Sequence, residues 1–103
     1  MRNMNDILRQ ASVMQNKIAK LQQDMAEHTV EASSGGGMVK VVVSCKQEIK
    51  SLIIDPKALE GNDVEMLQDL ITTAVNEGMR VAKAAMEREM AALTGGIRLP
   101  GIM

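Results

Sequence analysis

Phenylalanine, tyrosine and tryptophan are all missing from the 103 residues. No base can stack on an aromatic ring, which argues against single-strand binders of the RRM and OB types. A single cysteine excludes an intramolecular disulfide framework and a CxxC zinc site, and a single histidine excludes a multi-histidine metal centre. No run approaches the ~18 apolar residues of a membrane span, so no membrane contact is expected. The opening residues, Met1 to Asp6, are polar and lack the apolar stretch of a signal peptide, so the chain is expected to be cytosolic. A net charge of −1 excludes a globally basic nucleic-acid binder.

What is present is ordinary in proportion and unusual in kind. Apolar residues make up 46% and charged residues 24% of the chain, values of a globular protein, and residues 1–103 are expected to form one domain. Ten methionines must share the core with Leu, Ile, Val and Ala. Charge is uneven along the chain: residues 1–27 carry a net +1, residues 56–77 a net −4 and residues 78–103 a net +2.

Residues 1–27 read as one long helix. Met4, Ile7, Ala11, Met14, Ile18, Leu21 and Met25 recur at alternating spacings of three and four, a heptad seam. Asn3 or Asn5 can cap its start, and Arg2 and Arg9 lie opposite the seam. A helix of about 24 residues is about 36 Å long. That exceeds what a compact domain of this size can cover, so the seam is expected to need a second chain, and a two-fold dimer is the simplest source.

Residues 28–55 read as an antiparallel meander. Residues 28–33 alternate, Gly35-Gly36-Gly37 turns the chain, residues 38–44 form a valine-rich strand, Cys45-Lys46-Gln47 turns again, and residues 48–54 form the third strand. Leu52 and Ile54 face one side and Ile53 the other, so a second layer or a partner is expected over the sheet. Dimerisation or packing is expected from Met4, Ile7, Met14, Ile18, Leu21, Val41, Val43, Leu52, Ile53 and Ile54.

Residues 56–93 read as a short helical turn, 56–59, then a second long helix. Asp55-Pro56 opens the turn. Asn62 and Glu65 fit a capping box, and Thr94-Gly95-Gly96 ends the helix. Residues 94–103 form an apolar tail. Gly78, among Ala74, Ala82 and Ala85, marks a face for close packing. The fold class is therefore α+β, in the order α-β-β-β-α.

No catalytic constellation emerges. His28 has no nucleophile motif beside it. Gly35-Gly36-Gly37 leads into a strand, where a phosphate loop requires a helix. The acids at Glu60, Asp63, Glu65 and Asp69 lack calcium-loop spacing and suit the start of a helix instead. Cys45 is an incidental thiol or, with Lys46 beside it to lower its pKa, a redox-sensitive one or the site of an intermolecular bridge. Lys83 can pair with Glu87 four residues on. No enzyme activity, cofactor, metal or small-molecule substrate is expected.

These motifs together resemble the YbaB/EbfC family of nucleoid-associated proteins, over essentially the whole chain. The resemblance rests on Met14-Gln15-Asn16-Lys17-Ile18 and Leu21 to Met25. It also rests on Gly36-Gly37-Met38-Val39-Lys40-Val41, on Ile54-Asp55-Pro56, on Glu65 to Ile71 with Ala74 to Glu77, and on the Leu93 to Gly96 and Leu99-Pro100-Gly101 segments. Ser44-Cys45-Lys46-Gln47 replaces a hairpin often read N-G-K-G, Ile53 stands where relatives are often polar, and Gly78 replaces a common Ala, expected to loosen the last helix. The resemblance implies a tweezer-like homodimer with projecting helices. It also implies binding of duplex DNA, and roles in nucleoid organisation and gene expression. No short motif of the family marks the site. On charge alone the candidates are Arg2, Arg9, Lys17, Lys20, Arg80, Lys83, Arg88 and Arg98, which antiparallel helices would gather near one arm tip. The competing expectation is a dimeric protein–protein adaptor using methionine-rich stripes such as Met79, Met86 and Met90.

Overall fold

A computed structural model describes residues 3–93. Arg2, Arg98 and the tail 94–103 lie outside the described residues. The order is helix α1 (Met4–Glu27), strand β1 (Thr29–Ser34), strand β2 (Val39–Ser44), strand β3 (Ile49–Ile54), a 3-10 segment (Pro56–Asn62) and helix α2 (Val64–Leu93). The α-β-β-β-α order expected from the sequence is the order found.

The sheet is antiparallel with β2 in the centre. Cross-strand partners share a face. Val39, Val41 and Val43 therefore stand on the side of Ser34, Ala32 and Val30 and of Ile54, Leu52 and Ile49. A bulge at Val42/Val43 brings Ile49 onto that side despite its odd spacing from Leu52. Helix α2 lies over this face. Val39, Val41 and Val43 are fully buried with Ala74 and Ala82, and each buried valine contributes about 1.5–3 kcal/mol.

Gly78 sets how closely α2 approaches. A Cβ there would stand 2.8 Å from Val43 Cγ2 and 2.9 Å from Val41 Cγ2. The close packing expected at Gly78 is found: the missing side chain lets helix and sheet touch. Ser34 adds a polar tie, its hydroxyl donating to the Leu70 carbonyl at 2.6 Å.

Capping follows the expected chemistry with one change of residue. Asn3 Oδ1 accepts from the Asp6 amide and caps α1. At α2 the cap is Asp63, whose Oδ1 accepts from the Met66 amide at 3.0 Å. Asn62 instead adopts a left-handed φ of 56° and turns the chain into the helix.

Helix α1 leaves the sheet almost at once. Met25 is buried, Leu21, Ile18 and Met14 are half-buried, and Ile7 and Met4 are exposed. The seam therefore emerges from cover turn by turn. The radius of gyration is 19.5 Å and the longest extent 72 Å, against about 13 Å for a compact chain of this length.

Candidate nucleic-acid interface

The two helices run antiparallel where they meet. Met25 packs with Ala85 and Cys45, while Lys17, Lys20, Leu21 and Asp24 share a cleft of about 390 Å³ with Ala92 and Leu93. Helix α2 thus ends beside the middle of α1, and residues 4–14 extend past it. The tip expected to hold both basic groups holds only Arg9 among the described candidates. Lys17 and Lys20 lie beside the end of α2, and Arg80, Lys83 and Arg88 lie earlier along α2.

One lysine outside the sequence-based candidates, Lys46, joins this region. A second cleft, of about 430 Å³, is lined by Gln22, Lys46, Gln47, Lys83, Met86 and Glu87 beside Cys45. Arg88 is near enough to act electrostatically on the Cys45 thiol. Lys46 and Lys83 thus share one cleft and Lys17 and Lys20 the other, with Glu87 and Asp24 among the same linings. Lys46 was missed because its turn position says nothing about which helix it faces. The hairpin geometry puts it there: Gln47 takes a φ of 67°, and its amide donates to the Ser44 carbonyl at 2.8 Å.

Arg80 departs from the expected grouping. It lies two residues beyond Gly78, over the sheet, and its guanidinium forms two hydrogen bonds with Glu77, at 2.6 and 3.0 Å. Those bonds hold the Glu77 carboxyl below its usual range and raise the Arg80 guanidinium. The expected Lys83–Glu87 pair is not formed among the described residues, whose ion pairs are Glu77–Arg80 and Glu48–Lys50. Lys83 has no ion-pair partner among the described residues.

The remaining polar candidates have structural places. His28 ends α1, its amide donating to the Asp24 carbonyl and its carbonyl accepting from the Cys45 amide. Cys45 is 1% exposed. Burial pushes its thiol up from the ordinary value, outweighing Arg88, so the sequence-based idea of a thiol activated by Lys46 is corrected. The expected packing residues divide. Val41 and Val43 fill the core under α2, whereas Leu52 and Ile53 stand exposed and Ile54 half-buried on β3. No helix among the described residues is long and apolar enough to cross a membrane.

Known proteins share both sequence and fold with this chain. A nucleoid-associated protein of Moorella thermoacetica is 52% identical over 101 residues, covering 98% of this chain and 97% of that protein. One of Desulforamulus reducens is 49% identical over 100 residues, covering 97% and 95%. A crystal structure of a Helicobacter pylori protein superimposes with a TM-score of 0.83 at 23% identity, covering 92% of this chain and all of that one; it speaks for the fold alone. A model of the YbaB/EbfC DNA-binding family matches residues 1–97, and the chain belongs to that family.

Proposed function

We propose that this protein is a nucleoid-associated, duplex-DNA-binding protein that works as a homodimer, without enzymatic activity, and contributes to nucleoid organisation and gene expression. The observation that carries the reading is the set of cations in the two clefts beside the helices, Lys17 and Lys20 in one and Lys46 and Lys83 in the other, with Arg88 near Cys45 and Arg9 farther out on α1. Lysines and arginines spread along a rod suit phosphate contacts, which position a protein on DNA without reading bases. Family membership and the names of its relatives support the same partner.

Dimerisation is supported by β3. Ile49, Leu52 and Ile53 are 45%, 38% and 59% exposed on an edge strand that α2 does not cover. An apolar edge invites pairing with another chain. Two copies joined there double every basic residue and set two arms around one duplex. The methionine stripes favour an adaptor less, since Met79 and Met86 are half-buried against the protein's own core.

The test is fluorescence anisotropy of a labelled duplex at two salt concentrations. A dimer neutralising about 4–6 phosphates gives a log–log salt slope of roughly −4 to −5. Substituting Lys83 or Arg9 by alanine should weaken binding to all duplexes alike and flatten that slope. Absence of binding at low salt by the folded dimer would overturn the reading.

A further inference from the structure

The end of the molecule remote from the arm carries a different surface. Ala58, Leu59, Asn62, Asp63, Val64 and Leu67 enclose a shallow groove of about 240 Å³ between the 3-10 segment and the first turns of α2. Ala58 forms a floor 1% exposed, while Leu59 and Val64 stand 55% and 63% exposed on the walls. Gly61 and Asn62, both left-handed, bend the chain between those walls. The charge around the groove is acidic. Residues 56–69 hold one base, Lys57, against Glu60, Asp63, Glu65 and Asp69. Asp63 is engaged as the helix cap, but Glu60 and Glu65 have no hydrogen bond or ion pair among the described residues.

We propose that this groove docks a cationic amphipathic helix of another protein, its apolar anchors entering between Leu59 and Val64 and its lysines or arginines facing Glu60 and Glu65. The groove has room for roughly two aliphatic side chains, the i and i+3 or i+4 anchors of a helix laid into a cleft. Charge selects the class of partner. A two-fold contact of this surface with itself would set Glu60, Asp63 and Glu65 of one copy against those of the other, and like charges across an interface disfavour it. The same carboxylates repel nucleic acid. This surface is therefore separate from the proposed DNA-binding arm and does not depend on DNA binding; it adjoins β3, with only Asp55 between that strand and the 3-10 segment.

The test uses the full chain and a synthetic amphipathic leucine–lysine peptide, followed by methyl NMR. Peptide-induced shifts are expected at Leu59, Val64, Met66 and Leu67 and not at Met4 or Met14. Val64→Ser or Leu59→Ser should each weaken the peptide about tenfold. Glu60→Gln combined with Glu65→Gln should weaken it several-fold and reduce its salt dependence. Both leucine and valine side chains are exposed, so the variants should keep the wild-type circular dichroism and duplex binding. The proposal is overturned if a scrambled peptide of equal composition binds as well, if Val64→Ser leaves affinity unchanged, or if shifts spread over the arm. It is equally overturned if Val64→Ser lowers the particle mass in sedimentation, which would make the groove a contact between copies of this chain.

Discussion

Strands β2 and β3 lie side by side, are built from similar residues, and have opposite fates. Val39, Val41 and Val43 in β2 are fully buried, while Ile49, Leu52 and Ile53 in β3 remain open. Nothing in strand chemistry separates them. The difference comes from where α2 lies: close enough over β1 and β2 that a glycine is needed at position 78, and absent over β3. Apolarity in a strand says that it will be covered, and leaves open by what.

Paired substitutions test that contrast most strongly. Val41→Ala should lower unfolding stability by about 2–3 kcal/mol, because the cavity forms beneath a rigid helix. Ile53→Ala should change it by no more than about 0.5 kcal/mol in the protomer, and its effect should appear in sedimentation as weaker self-association. Equal losses in urea melts would mean that the two strands are equally covered. Gly78→Ala probes the cover itself. Alanine is worth about 1 kcal/mol over glycine in a helix interior, but its Cβ would press on two valine methyls. Overpacking should prevail, with a net loss of about 1–2 kcal/mol by thermal unfolding.

A smaller effect is expected where α2 begins. Asp63→Ala should cost about 1 kcal/mol by removing the cap on the Met66 amide, whereas Asn62→Ala should leave that bond intact. The smallest effect concerns Cys45. Its folded thiol is raised by burial, so the neutral form is favoured in the folded state. That stability is complete below the unfolded thiol's value and is lost as pH rises through the folded value. Urea midpoints should therefore fall slightly in alkaline buffer for wild type and not for Cys45→Ala. Alkylation should be slow in native buffer and fast in denaturant.

Periodicity made much of this architecture legible in the sequence. The three-four seam of α1 and the alternation in β2 are local patterns, and the glycine run and Asp55-Pro56 are local breaks. What stayed hidden depends on contacts between distant segments. The bulge that turns Ile49 toward the α2 side is a property of pairing with Val43. Asp63 rather than Asn62 became the cap because the left-handed turn at Gly61 and Asn62 delays the helix by a residue. The candidate interface was legible as charge and not as place. Lys17, Lys20, Lys83 and Arg88 were named from the sequence, but Arg80 turned to Glu77 and Lys46 joined from the hairpin only once α1 and α2 were set antiparallel.

Helix α1 is held at one end, and that makes it a lever. Helix α2 holds it from Met25 as far as Lys17, beside Ala92 and Leu93, and Arg9 lies about 12 Å farther out along a straight helix. A rotation of about 10° there would carry Arg9 about 2 Å sideways. A small repacking where the end of α2 meets α1 is thereby passed on as a change of reach at Arg9.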